Sequence, residues 1–118
     1  LLAISQSKIG LNLSQGKAAK YYSSDRFSQL IGNGLLVMLD EKTKIGNFFN
    51  KDEIILYNNI SDLSEKIIKF SNDNTLRNKI ARKGRAKYFK YFNSTVVAEF
   101  ILNRTFGIKK NYYWEKNK

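Results

Sequence analysis

The chain has 118 residues, of which 42% are hydrophobic, enough for one packed domain and too many for a disordered tail. It carries no cysteine and no histidine, which excludes disulfides, thiolate metal sites and the commonest neutral-pH base. The formal charge of +11 permits an anionic partner, but the lysines are mixed with many asparagines and isoleucines, as AT-rich coding alone would give, and net charge does not specify a fold.

The chain opens at Leu1 inside an apolar segment, which reads as a piece of a longer protein. Leu1 to Ser7 reads as the end of a helix, and Ile9 to Leu13 alternates as a first strand before the polar Ser14-Gln15-Gly16. A loop with Lys17 and Lys20 leads to a helix near Ser24. Ser23 or Ser24 is its N-cap, Asp25 sits in the first turn, and Phe27, Leu30 and Ile31 share one side while Arg26 and Gln29 lie three apart on another. Gly32-Asn33-Gly34 then stops the helix. Leu35 to Leu39 is apolar throughout, the pattern of a strand covered on both faces of a parallel sheet.

Beyond Asp40, the polar Glu41 to Lys44 precedes Ile45, Phe48 and Phe49, which suit one or two helical turns. Glu53 to Tyr57 is the third strand. Ser61 is expected to cap a helix with Ile60, Leu63, Ile67 and Phe70 inward. Asn72 or Asp73 opens the next, with Leu76, Ile80, Gly84, Tyr88 and Tyr91 inward and Arg77, Arg82, Lys83, Arg85, Lys87 and Lys90 on a solvated face. Asn93 or Ser94 caps a last helix that buries Val96, Val97, Phe100, Ile101 and Leu102. Residues 1–106 thus form a single α/β domain, and 107–118 form a tail.

The expected fold is a small Rossmann-like parallel sheet layered with helices and ending in a helical stretch. In such sheets ligands sit beyond the carboxyl ends of the strands, here Asn12 to Gly16, Asp40 to Thr43 and Asn58. The helix start at Ser24 opens on that edge with free N–H groups, two serine hydroxyls and Arg26, which is phosphate-binding chemistry. The same residues could equally do no more than cap a helix and stop it, and the chain has neither a GxGxxG nor a GxxxxGK[ST] motif.

The order Ser7 to Ser14, Ser24 to Val37, Phe48-Phe49 and Glu53 to Tyr57, with Asp62-Leu63, Leu76-Arg77, Ile80-Ala81 and Gly84-Arg85 after it, resembles the C-terminal, donor-binding half of GT-B glycosyltransferases of group 1. Within them it looks closest to the branch related to the spore-maturation protein CgeB. The resemblance implies a bacterial transferase of polysaccharide biosynthesis that binds a nucleotide-diphosphate sugar as substrate, without metal or other cofactor. It implies phosphate contacts at Ser23, Ser24 and Arg26 and a ribose contact at Gln29, with Asn12 and Ser14 on the same edge. Gln29 stands five residues before Gly34, where the retaining branch has a glutamate, and Tyr21 stands where that branch has an earlier one. An amide can bond a hydroxyl but lacks the charge-assisted bond of a carboxylate. The resemblance also implies an N-terminal partner half that brings the acceptor and the catalytic base, neither of which is identified here.

Localisation is expected to be cytoplasmic: no segment has the length of a membrane span, and Leu1 to Ile4 has no secretion-signal pattern. Two further readings rest on charge. Tyr88, Phe89, Tyr91 and Phe92 interleaved with Lys87 and Lys90 raise nucleic acid, which helical packing of those rings disfavours. The Lys109 to Lys118 tail, with Tyr112, Tyr113 and Trp114, raises peripheral contact with the inner membrane face.

Overall fold

The computed structural model describes residues 2–13 and 16–115. In chain order it contains α1 (Leu2–Gln6), β1 (Ile9–Asn12), α2 (Asp25–Gly32), β2 (Leu36–Asp40), 3-10 turns at Glu41–Thr43 and Ile45–Asn47, and β3 (Ile55–Tyr57). Then follow α3 (Ile60–Asn72), α4 (Asn74–Tyr91), α5 (Ser94–Thr105) and a 3-10 turn at Tyr113–Glu115. The sheet is wholly parallel in the order β1-β2-β3, with Asn12 opposite Leu39 and Asp40 opposite Tyr57. The expected α/β architecture is therefore present, with β2 in the centre.

Strand periodicity divides the core in two. Val37 and Leu39 face Phe27, Leu30 and Ile31 of α2 together with Ile45, Phe49 and Ile54. Leu36 and Met38 face the other way, onto Phe70 of α3 and Ile80 and Ala81 of α4. Leu36, Met38 and Leu39 are wholly buried, each contributing about 1.5–3 kcal/mol of transfer free energy. An unbroken apolar run is what a strand between two helical layers needs.

The helix α4 reaches both layers. Its first half packs Leu76, Ile80 and Ala81 on one cluster, and its second half packs Tyr88, with Phe92 just beyond its end, against the other. Gly84 lies between them, where a Cβ would come within 2.1 Å of the Glu53 carbonyl oxygen. Only glycine lets the helix pass so close to the chain entering β3. Lys87, one turn further on, is largely buried and pairs with Glu53 at 2.7 Å.

Several expectations are corrected. Asn59, not Ser61, caps α3 by accepting from the Asp62 N–H, and Asp62 in turn accepts from the Asn58 N–H. Ile60 is 85% exposed, because β3 ends at Tyr57 and the first turn of α3 has no strand beneath it. The third strand begins at Ile55, since Asn50-Lys51-Asp52-Glu53 forms a turn in which the Glu53 carboxylate accepts from the Asn50 N–H. Arg77 is buried rather than solvated, donating to the carbonyls of Phe70 and Ser71 and to Asn74 Oδ1, so that it closes the carbonyl end of α3.

The last helix departs most from its pattern. No residue of α5 is buried, and Val97, Ile101 and Leu102 are exposed. Both faces of the sheet are already covered by α2, α3 and α4, so α5 has no strand left to pack on. The molecule is accordingly long, 49 × 28 × 24 Å, with a radius of gyration of 15.1 Å against about 13.5 Å for a compact chain of this size. Residues 107–115 do more than trail away. Tyr112 is buried, its ring meets Phe100 edge-on at 5.1 Å and stacks on Trp114 at 5.3 Å, and its hydroxyl accepts from Asn103.

Candidate functional site at the start of the second helix

Alternation along β1 sends Gly10 and Asn12 toward α2. Gly10 makes room for Leu30, whose side chain would lie 2.8 Å from a Cβ there. Two residues on, Asn12 is 2% exposed and its Oδ1 accepts from the Ser24 hydroxyl at 2.7 Å. The end of β1 is thereby tied to the residue that precedes α2.

Ser24 holds the N-cap position with extended backbone, but its side chain makes no cap hydrogen bond. Its hydroxyl donates to Asn12. Among the described residues no side chain accepts from the N–H groups of the first turn at Asp25 and Arg26, at the carboxyl edge of the sheet, where such groups and the helix dipole favour an anion. Arg26 is exposed and its Nη1 makes one long hydrogen bond, 3.4 Å, to the Leu13 carbonyl. Asn12, Ser24 and Arg26 are thus brought together, with the exposed Ser23 beside them.

Gln29 is exposed one turn further along α2, on the side of Arg26; its backbone carbonyl accepts from the N–H and the side chain of Asn33. Ser14 lies outside the described residues.

On the neighbouring strand Asp40 ends β2 and accepts from the Lys42 N–H, while the Thr43 hydroxyl donates to the Asp40 carbonyl. Burial, and after it the nearby Asp40, push the Tyr57 hydroxyl above its ordinary value of 10.0.

Sequence reasoning saw in Tyr21 only a departure from the glutamate of the retaining branch and gave it no structural role. It has φ +60, which is uncommon for a tyrosine, and its N–H donates to the Thr43 carbonyl at 2.7 Å. Its hydroxyl accepts from Asn47 and its ring lies 5.2 Å from Phe48. The loop before α2 is thereby latched to the turns after β2. No local pattern announces this, because the partner residues lie more than twenty positions away.

The aromatic and basic residues of α4 do not form a common exposed platform. Tyr88 and Phe92 pack on the core, Tyr91 stacks on Tyr113 at 4.3 Å, and Phe89 is exposed with Arg85 over its ring. Among the described residues no group of acidic side chains could hold a metal ion, and no helix is long and apolar enough to cross a membrane.

A wholly parallel three-stranded sheet between helical layers, with an uncapped helix start at its carboxyl edge, defines a Rossmann-like α/β domain. The glycosyl transferase-like family model matches residues 2–103, and the chain belongs to that family. No curated protein and no solved structure gave a match.

Proposed function

We propose that this chain is the donor-binding domain of a glycosyltransferase, the C-terminal half of a GT-B architecture, and that it holds a nucleotide-diphosphate sugar at the start of α2. The observation that carries the reading is the start of α2: the Ser24 hydroxyl donates to Asn12, and the Ser24 side chain makes no cap hydrogen bond. An anion is the natural acceptor for the N–H groups left open.

In this reading the diphosphate lies against the Asp25 and Arg26 N–H groups, with the Ser23 hydroxyl and the Arg26 guanidinium beside it. Charge develops on the diphosphate as the glycosidic bond breaks, and fixed donors aimed there lower the barrier without reorganising. Asn12 acts through Ser24 and holds the serine in place. Gln29, one turn along the same side, takes a ribose hydroxyl through its amide. Ser14, two positions after Asn12 in the sequence, is a further candidate contact on the strength of the resemblance alone. The acceptor and the base that activates it come from a partner half, so the isolated chain binds donor without transferring sugar.

The test is titration of isotope-labelled protein with UDP, GDP and their sugars. Saturable shifts of the Asp25 and Arg26 amides are expected with one nucleotide. Gln29→Ala should weaken binding, and Gln29→Glu should keep or strengthen it. No shift across residues 23–29 with any nucleotide at millimolar concentration, in this chain and in the full-length protein, would remove the reading.

A further inference from the structure

At the start of β3, on the edge of the sheet opposite the carboxyl ends of the strands, lies a cup of about 330 Å³ between α3, the first half of α4 and the turn at 50–53. We propose that this cup binds an amphipathic anion, a small molecule with an apolar body that carries a phosphate or a carboxylate. The inference goes beyond the donor reading, does not depend on it and shares no residue with that site.

The floor is apolar and set by the fold. Ile55 of β3, Phe70 of α3 and Ile80 of α4 are buried, and Leu76 packs beside them on the same cluster. Their side chains are already fixed by the core, so a guest seated on them orders little that is not ordered beforehand. An apolar cavity of about 150 Å³ is enough to bind benzene, and the cup has more than twice that volume.

The rim is cationic. Lys51 comes from the turn, Lys69 from α3, and Lys79 and Lys83 from α4. Lys83 pairs with Asp52, the only carboxylate among the lining residues. Lys51, Lys69 and Lys79 are exposed, and among the described residues they enter no ion pair. Lys69 Nζ lies 5.5 Å from the centre of the Phe70 ring, so one of these ammonium groups stands beside the floor itself. A solvated helix face sets like charges along one helix. Here three lysines without a carboxylate come from three separate elements and converge on one apolar recess.

That combination narrows the guest from two directions. A bare phosphate or carboxylate would meet exposed ammonium groups only, where salt screens the attraction and single pairs are weak. A neutral apolar body would gain the floor but offer the lysines nothing. An anion with an apolar body uses both, removing its carbon surface from water while several ammonium groups share its charge. A nucleic-acid strand needs exposed rings on which its bases stack, and the one ring in the cup, Phe70, is buried.

The probe is 2-naphthyl phosphate, with inorganic phosphate and 2-naphthol as its two halves. Isotope-labelled protein would be titrated at neutral pH and the Phe70 and Ile80 amides followed. Saturable shifts at both are expected with 2-naphthyl phosphate, at an affinity at least tenfold tighter than for either half and falling as salt rises. 2-Naphthoate run in parallel tells which of the two anions the rim prefers.

Lys69→Gln with Lys79→Gln removes two of the unpaired cations, and Lys51→Glu reverses the one on the turn. Either variant that keeps the parent circular dichroism and melting temperature should bind the probe at least tenfold more weakly. No saturable shift at the two amides with 2-naphthyl phosphate or 2-naphthoate at millimolar concentration, an equal affinity for either half, or undiminished binding in a folded variant would overturn the proposal. The Asp25 and Arg26 amides are read in the same spectra, so this site and the donor site can fail separately.

Discussion

The Ser24 hydroxyl donates to Asn12 Oδ1 across twelve residues of sequence, joining the residue before α2 to the last residue of β1. Serine at an N-cap ordinarily accepts from its own helix. Here the side chain is turned to a buried amide, and the helix start faces outward uncapped.

The bond is asymmetric in burial, and that sets the first prediction. Ser24→Ala leaves the Asn12 carbonyl oxygen, on a residue 2% exposed, without its partner, and should cost about 1–3 kcal/mol. Replacing both, as Asn12→Leu with Ser24→Ala, should recover part of that loss. Urea unfolding of the single and double variants measures the difference; additive losses would mean that the pair is not coupled.

Lys87 and Glu53 form an ion pair with side chains only 9% and 14% exposed. Burial pulls the Lys87 ammonium down, but the Glu53 carboxylate and the Tyr113 hydroxyl outweigh it and hold the lysine above its ordinary value of 10.5. A raised folded value contributes stability that is fully present below pH 10.5 and is lost as the pH rises through the folded value. Lys87→Met, which leaves Glu53 unpaired, should cost on the order of 3 kcal/mol at neutral pH and should flatten this component of the alkaline limb. Chemical unfolding from pH 9 to 12, which spans the rise above pH 10.5, would be the check.

Two glycines should respond in opposite directions. Gly84→Ala drives a Cβ to 2.1 Å from the Glu53 carbonyl oxygen, a backbone atom that cannot rotate away; a loss at the upper end of the roughly 1–3 kcal/mol typical of overpacking, or more, is expected. Gly32 is helical, and the nearest atom to a Cβ there is 4.0 Å away. Gly32→Ala should therefore stabilise α2 by up to about 1 kcal/mol. Thermal melts of the two variants should move apart, one down and one up.

Acid stability should depend on Asp62. Its carboxylate is held below the ordinary value of 3.8, first by the Lys66 ammonium at 2.7 Å and next by the Asn58 N–H. A depressed folded value contributes stability present above pH 3.8 and lost as the pH falls through the folded value. Asp62→Asn should make the acid limb shallower while keeping α3, because Asn59 still caps it. Circular dichroism melts from neutral to strongly acidic pH report both.

The C-terminal turn should be what steadies α5. Tyr112 is the one residue of 107–115 that is buried, so Tyr112→Ala is expected to speed hydrogen exchange across Ser94–Thr105 by at least tenfold while leaving β2 protected. Unchanged exchange in α5 would show that the helix stands without the turn.

The local part of the fold was legible in the chain. The period-two alternation of Ile9 to Asn12, the unbroken Leu35 to Leu39 run and the glycines at 32 and 34 specify strand, buried strand and helix stop through side-chain direction and backbone freedom, which neighbours in sequence settle. They also sufficed to place Asn12, Ser24 and Arg26 on one edge, and the order of the parts sufficed to reveal the family.

Tertiary structure decided the rest. Whether Ser24 caps its helix or serves Asn12 depends on a partner twelve residues away. Arg77, charged and so read as solvated, is buried because the end of α3 offers it carbonyls. Val97, Ile101 and Leu102, apolar and so read as core, are exposed because α2, α3 and α4 already cover both faces of the sheet. Periodicity tells a side chain which way it points from its own backbone, but burial and pairing depend on what other segments have already occupied, and no local pattern carries that information.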